Sequence, residues 1–480
     1  MSIENYEKVI GLEIHVRVKS DTKFFCNCKN AVELATEPNI NVCPVCMGFP
    51  GMLPSINAEV VRLGVKAGLL MNCSINKSSR FDRKSYFYPD LPNSFQITQM
   101  YETITGAGTV KVLVGGEVKE FGIHHMHLEN DAGKLVHSAG LTLCDYNRAG
   151  SPLMEIVTDP VFYDKEEVVE FLKELQKMFR FASISDADME KGQLRCDVNI
   201  SIRKKGATGL GTRVELKNIN SFSSIARAID GEFLRQVRLL ESGGTIDQET
   251  RGWDDDKGVS TTQRSKEDAM DYRYFPEPDL LPINLSDEYI EDCKKELPEL
   301  PIEKRLRYLN DYKLSEDDAR ILTADKELCD YFEVMVKLTN DPKKSCSYIT
   351  TILLALLNEC KEEGGICNLK FDATELAKVI ELVNKNEISS TNSKTIVEEL
   401  FKRGGKTDEI IDKLGLRQQN NTDELEKIVD DVLSTLGSQI EEYKSGKVNL
   451  FGFFVGQCMK ASKGKGNPKI FTDIIKNKIG

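Results

Sequence analysis

Four separate segments of this chain alternate apolar and polar residues with period two, and each carries ionisable or amide groups on its polar side. In 12–18, Leu12, Ile14, Val16 and Val18 share one face while Glu13, His15 and Arg17 share the other. In 194–202, Leu194, Cys196, Val198, Ile200 and Ile202 oppose Arg195, Asp197, Asn199 and Ser201. Val214 and Leu216 oppose Arg213, Glu215 and Lys217; Met126 and Leu128 oppose His125, His127 and Glu129. Side chains alternate across a strand, so each segment reads as a half-buried β-strand. On such a face residues i and i+2 lie roughly 6.5–7 Å apart, close enough for two ligating side chains to converge on one ion.

A half-solvated antiparallel sheet accounts for any one of these strands alone. Together they say more, because a plain solvent face is built from Lys, Thr and Ser, whereas here Glu, His or Asp recurs each time. If the strands share one sheet, their carboxylates crowd at a cost that cations or nearby Arg and Lys must offset. Hard oxygen donors with few imidazoles fit Mg²⁺, which keeps waters and bridges to phosphates. The polar face is therefore expected to be a Mg²⁺–nucleotide site. The sequence has no Walker A loop, so a P-loop enzyme is not expected.

At 480 residues the chain is too long for one ordinary core, and two to four domains are expected. Gly and β-branched residues are frequent up to about residue 290. Beyond it, helical spacing recurs over 317–324, 326–338, 347–360, 373–384, 393–402, 408–414 and 422–436. The Pro-rich stretch 274–282 followed by 297–301 marks the junction, and Gly404-Gly405 a second break. The expected fold class is α+β: a mixed domain over 1–293, then helical units over 294–405 and 406–480. Within the first, Asp164 and Glu167 form a capping-box signature ahead of Val168, Phe171, Leu172, Leu175 and Phe179 at helical spacing, a structural helix.

The formal net charge of −12 argues against a generic polyanion binder, although 443–480 carries eight lysines against one aspartate, with Gly452, Gly456, Gly464 and Gly466 among them. That asymmetry fits a phosphate-backbone contact or a solvated tail, and Phe451, Phe453, Phe454 and Val455 imply that the segment also packs. No apolar run reaches the ~20 residues of a membrane helix, and the polar start 1–8 lacks a secretory signal's apolar core. Thirteen cysteines, an odd number, suit free thiols or metal ligation in a reducing cytosol.

Cys26 and Cys28, then fourteen residues, then Cys43 and Cys46 give a C-x-C…C-x-x-C pattern that fits a closed tetrahedral zinc site, with Pro44 and Gly48 suiting a tight knuckle. The remaining cysteines, Cys144 and Cys196 included, read as small core residues. In 79–92, Arg80, Arg83 and Lys84 precede Tyr86, Phe87 and Tyr88, a mixture that suits a nucleotide or a single-stranded nucleic-acid end. A surface loop with an aromatic anchor fits those residue types equally well. In 145–158, Arg148 and Gly150 read as an ordinary turn before a strand.

These motifs together resemble the GatB family, the B components of the bacterial aspartyl/glutamyl-tRNA amidotransferases known as GatCAB complexes. The matching stretches are VIGLEIHV, FPGMLPSIN, FDRKSYFYPDLP, HLENDAGK, DYNRAGSPLMEIVTDP, GQLRCDVNIS, VELKNINSF, DYRYFPEPDLLP and GFFVGQCMKASKGKGNP, spread over nearly the whole chain. The resemblance implies an antiparallel-sheet cradle domain, a helical domain and a YqeY-like tail that contacts tRNA. It implies a ligase that uses ATP to phosphorylate the side-chain carboxylate of Glu on tRNA-Gln or Asp on tRNA-Asn. A glutaminase partner would supply the ammonia, and a small third partner would complete the GatCAB heterotrimer. Carried over, Glu13, His15, Glu129, Asp197 and Glu215 would hold Mg²⁺, and Cys26, Cys28, Cys43 and Cys46 a structural zinc. Arg83, Lys84, Tyr86, Tyr88, Asn199 and Lys217 are the expected nucleotide contacts. Asn130 stands where other members have a second Glu. A non-catalytic tRNA-binding role in the same complex is the alternative. A glutaminase using Cys196 is disfavoured, because that thiol falls on the apolar face.

Overall fold

The computed structural model describes residues 3–30, 35–265, 271–360, 365–418, 421–462 and 465–480. It forms two compact units, Met1–Lys304 and Arg305–Gly480. The strands needed below are β1 (Tyr6–Arg17), β2 (Asp82–Ser85), β3 (Phe95–Thr98), β4 (Gly108–Val114), β5 (Glu117–Asn130), β6 (Pro152–Thr158), β7 (Leu194–Lys204), β8 (Val214–Lys217), β9 (Glu249–Asp254), β10 (Val259–Ser265) and β11 (Phe275–Pro276). The helices are α1 (Ala58–Leu70), α2 (Lys165–Phe181) and α3 (Phe222–Glu241).

Eight strands make one sheet in the order β10-β9-β8-β7-β1-β6-β5-β4. Every pairing is antiparallel except β8 with β9, which is parallel. The four segments that alternate in sequence are all in this sheet, and all four send their apolar side chains to the same side. There Leu12, Ile14, Met126, Leu128, Val198 and Leu216 join one core with Phe171 and Leu175 of α2 and Ile225 and Ile229 of α3. The α2 helix starts on the capping box that the sequence foretells: Asp164 accepts from the backbone of the first turn while Glu167 accepts from Asp164 N–H. α1 packs on the same side, and a Cβ at Gly64 would come within 2.9 Å of Leu128. Helices thus seal one face of the sheet and leave the other for polar chemistry.

A small sheet in the order β11-β2-β3 covers part of the polar face. Asn130 at the end of β5 fastens it, accepting from Ile97 N–H at 2.8 Å while its own carbonyl accepts from the Gln96 amide at 2.9 Å. The Pro-rich stretch pairs with strands of the first unit. Phe275 and Pro276 pair with Arg83 and Asp82, and Ile283 and Asn284 pair with Ser79 and Ser78. Such two-residue pairings sit between prolines and leave no period in the sequence.

The second unit is helical, with helices at Glu316–Leu322, Lys326–Thr339, Ala373–Asn384, Ser390–Arg403, Thr407–Leu414 and Thr422–Ser434 close to the segments that periodicity marks. Between Tyr348 and Leu353 the backbone is π-helical. At the C-terminal end Leu425, Val429, Phe454, Cys458, Phe471 and Ile475 form a separate core. Lys478 bridges Glu426 and Asp430 there, both at 2.7 Å, so part of the tail's positive charge is matched within the fold. Gly464 lies outside the described residues. Among the described residues, no helix is long and apolar enough to cross a membrane.

Candidate functional site

Register brings the acids together. Glu13 stands opposite Asp197 on one side and Val157 on the other; His15 stands opposite Arg195 and Glu155; His127 stands opposite Glu155. Direct cross-strand partners share a face, so Glu13, His15, Asp197, Glu155 and His127 all rise from the same side of the sheet. Asn199 faces Glu215 one strand further along. Glu13, His15 and Glu155 each present a donor atom within 4.8 Å of the other two, and His127, Glu129 and Glu155 do the same. Glu155 belongs to both groups.

The ion pairs around it are close. His15 Nε2 lies 3.2 Å from Glu155 Oε2 and 3.7 Å from Glu129 Oε1; His127 Nε2 lies 3.5 Å from Glu155 Oε2 and 3.7 Å from Glu129 Oε2. Burial disfavours both imidazolium ions, yet the hydrogen bonds and charge of Glu155 and Glu129 outweigh it. His15 is pushed up to about 9 and His127 to about 10. Glu155 is itself driven well below the usual carboxylate range: burial opposes this, and the two histidines prevail. Glu13 is raised, by burial and then by the neighbouring Glu155 charge. His125 goes the other way, lowered to about 4 by burial and by the adjacent His127 and His124.

Two lysines complete the charge balance. Lys217 donates to Asp197 Oδ2 at 2.6 Å and lies 3.3 Å from Glu215 Oε1, while Glu215 also accepts from the Thr250 hydroxyl at 2.7 Å. Lys84 on β2 reaches over the sheet. Although burial opposes its charge, Glu129 and Glu155 raise its pKa above the ordinary lysine value. Over these groups lies a cavity of about 920 Å³, whose walls include Glu13, Lys84, Glu155, Lys217, Tyr272 and Tyr274.

The other expected nucleotide contacts lie elsewhere or play supporting parts. Arg83 is gripped by Glu277, Nε to Oε2 at 2.7 Å and Nη2 to Oε1 at 2.8 Å, and by Asp279 at 3.0 Å. It stacks on Phe95 and lines a different cavity of about 510 Å³ beside the cysteine loop. Tyr86 packs edge-on against Tyr272, ring centroids 5.9 Å apart, and burial pushes its hydroxyl up to about 12. Tyr88 is 59% exposed, and Phe87 is exposed too.

Cys26, Cys28, Cys43 and Cys46 also meet, with their sulfurs within 4.8 Å of one another. That is the donor set of a closed zinc site, with room for four Zn–S bonds of about 2.3 Å. Cys46 accepts from Cys43 N–H at 3.2 Å and from the fully buried Lys23 ammonium at 3.6 Å. A hydrogen bond from Cys26, opposed by burial, helps lower the Cys46 thiol to about 5. Of the remaining cysteines, Cys73, Cys196, Cys293, Cys329, Cys346 and Cys458 are buried as expected. Cys144 is only half-buried, on the hairpin Lys134–Ser138/Leu141–Asp145, and Cys360 and Cys367 are exposed.

Sequence reasoning leaves Glu155 out of the candidate ligands, and His127 too, although alternation puts His127 on the polar face. The signal for Glu155 is a single acid inside the otherwise apolar run PLMEIVT. A strand whose residues are apolar on both faces shows no alternation, so one charge within it is the anomaly to follow.

Comparison with known proteins gives two family matches. Residues 8–291 match the GatB/GatE catalytic domain and residues 330–479 the GatB domain. A Persephonella marina protein, named as the B subunit of an aspartyl/glutamyl-tRNA(Asn/Gln) amidotransferase, is 45% identical over 471 residues, 98% of each chain. Proteins of the same name from Thermoanaerobacter pseudethanolicus and Clostridium botulinum are each 44% identical over 475 residues, 99% of each chain.

Proposed function

Because this chain belongs to the GatB family of aspartyl/glutamyl-tRNA(Asn/Gln) amidotransferases, we propose that the cavity over its sheet is where a misacylated tRNA's carboxylate is activated by ATP and amidated. The protein is part of a ligase that forms a carbon–nitrogen bond with glutamine as amide source. Its partners in this reading are a glutaminase, a small third protein and Glu-tRNA(Gln) or Asp-tRNA(Asn). The observation that carries the reading is the convergence of Glu13, His15, Glu129, Glu155 and Asp197, from β1, β5, β6 and β7, on one partly enclosed polar face.

The donor set fits a hard divalent cation. Three glutamates offer oxygens and Asp197 stands across from Glu13, a set that suits Mg²⁺ and also Mn²⁺; the two histidines join it as ligands only once they give up the protons that Glu155 and Glu129 favour on them. Glu13, His15, Glu129, Glu155, Asp197 and Glu215 are the residues assigned to hold it. When bound, the cation neutralises charge on the transferring phosphoryl group.

The rest falls to the chain. A carboxylate is a poor acyl donor; once its oxygen attacks the γ-phosphorus and ADP departs, it carries a good leaving group. Ammonia then adds to the acyl carbon and phosphate leaves. Lys84 and Lys217 are the lysines at this cavity, placed to hold phosphate oxygens, and Asp197 and Glu215 orient Lys217. Arg83, whose guanidinium is already bound by Glu277 and Asp279, serves better as the clamp that holds the covering sheet. Partial enclosure limits hydrolysis of the acyl phosphate. At the edge of this unit, the four cysteines are assigned a structural Zn²⁺ that pins the loop after β1.

Asp197→Ala in the assembled complex is the test. Transfer of labelled γ-phosphate to the aminoacyl-tRNA and amide formation should both disappear while glutamine hydrolysis by the partner continues. Normal product formation by that variant would leave only a tRNA-holding role.

A further inference from the structure

The expected base-stacking residues, Tyr86 and Tyr88, do not stand open to the cavity as rings that could take a base. Three other tyrosines line it: Tyr101, which is mostly exposed, and a pair from one segment. Tyr272 and Tyr274 stand two residues apart in the segment leading into β11, which runs beside β2. The Tyr272 carbonyl accepts from Ser85 N–H at 2.9 Å, which ties the segment down. Arg273 between the two tyrosines takes a left-handed φ of 44°, so the backbone turns there, and both nonetheless line the cavity. Their centroids are 6.1 Å apart at 67°, and Tyr86 braces Tyr272 from behind its edge. Both rings are half-buried.

This differs from how the chain uses tyrosine in its cores. Tyr308 is fully buried with its hydroxyl 2.9 Å from Glu333, and Tyr6 is buried with its hydroxyl on Glu241. Among the described residues, no hydrogen bond anchors the hydroxyl of Tyr272 or Tyr274. Lys84 links the rings to the acids: its ammonium sits 4.9 Å from the Tyr272 centroid, and Glu129, Glu155 and Tyr274 are its charged or ionisable neighbours. Carboxylates, then a lysine, then an aromatic wall is the arrangement a nucleotide needs: cation-bridged phosphates at one end and a flat base at the other.

We propose that Tyr272 and Tyr274 form the base-stacking wall of this cavity and take an adenine ring. The inference rests on the reading of the cavity as the ATP and tRNA site. That reading allows two sources of adenine, ATP itself and the terminal adenosine of the tRNA, and the experiment separates them.

In the assembled complex with Mg²⁺, the affinity for ATP and for inorganic tripolyphosphate, which has no base, is measured for wild type, Tyr272→Leu, Tyr274→Leu and Tyr272→Phe. Leu keeps bulk without a π face; Phe keeps the ring. If the wall holds ATP, the Leu variants lose about tenfold or more in ATP affinity, tripolyphosphate binding stays within about twofold, and Phe resembles wild type. If it holds the terminal adenosine, ATP affinity is unchanged and KM for the misacylated tRNA rises by a similar factor in the Leu variants only. Leu variants that keep wild-type ATP affinity and tRNA KM overturn the proposal. So do Leu and Phe variants that fall equally, since the rings would then matter only for their packing. Tripolyphosphate binding that persists in Asp197→Ala would instead count against the activation site, whatever the tyrosines do.

Discussion

Glu13 and Asp197 stand directly opposite one another on adjacent antiparallel strands, although most of the first unit's sequence separates them. Two acids in direct cross-strand register repel unless something positive stands between or beside them. Lys217, 2.6 Å from Asp197, supplies part of the compensation, and the imidazoles of His15 and His127 supply more around Glu155. The arrangement opposes self-repulsion with a mixed cluster, which a divalent cation and a triphosphate can enter together.

Glu155 is shared by both candidate ligand groups, so its loss should do more than the loss of a peripheral contact such as Asn199. Glu155→Gln should lower the rate of phosphoryl transfer about 100-fold or more and raise the Mg²⁺ concentration needed for half-maximal rate, whereas Asn199→Ala changes both by less than about tenfold. Steady-state rates against Mg²⁺ concentration check this. Glu155→Gln should also cost about 3 kcal/mol of stability in cation-free buffer, because it strips two buried imidazolium ions of a partner.

Arg83 separates a phosphate contact from a clamp. Its pairing with the buried Glu277 is bidentate, and lysine cannot reproduce that geometry. Arg83→Lys should lower stability by about 2 kcal/mol while leaving the KM for ATP within about twofold. Lys84→Gln should do the reverse, raising that KM about tenfold or more with a smaller stability change. Denaturant titration and nucleotide kinetics on the two variants give the comparison.

The cysteine cluster predicts one tightly held zinc per chain. Removing it with a strong chelator, or through Cys26→Ser with Cys43→Ser, should lower the thermal midpoint and expose the loop around Phe49 and Met52 to protease. Phosphoryl transfer should fall much less than in Glu155→Gln. Metal analysis alongside limited proteolysis reads both effects.

At the far edge of the sheet, Asp255 accepts from Arg227, from Ser224 and from the indole of Trp253, the only tryptophan in the chain. Those hydrogen bonds lower its carboxyl to about 2, led by the one from Arg227. A carboxylate depressed in the folded state stabilises it above the unfolded value near 4, and that contribution fades as pH falls toward 2. Asp255→Asn should therefore be less stable than wild type at pH 6, and the gap should narrow between pH 4 and 3. Tryptophan fluorescence during urea unfolding at those pH values measures it.

Much of this site was legible because strand periodicity survives wherever one face is buried. Glu13, His15, Glu129, Asp197 and Glu215 could be placed on polar faces from alternation alone, and the helices of the second unit from their 3.6-residue spacing. Glu155 escaped because its sequence neighbours in β6 are largely apolar on both faces, so the strand shows no alternation. Tyr272 and Tyr274 escaped for another reason. They sit beside prolines in a segment whose strand pairing is two residues long, which reads as a linker. The role of Arg83 depends on Glu277, and no local pattern ties those two positions together.

The account stands or falls on a divalent cation held among these acids. Paramagnetic resonance of Mn²⁺ titrated into the complex with ATP counts that ion directly. Wild type should bind a Mn²⁺ that Glu13→Gln, Glu155→Gln and Asp197→Asn each weaken at least tenfold, while Arg83→Lys does not. Equal Mn²⁺ binding by wild type and by all three acid variants would contradict it.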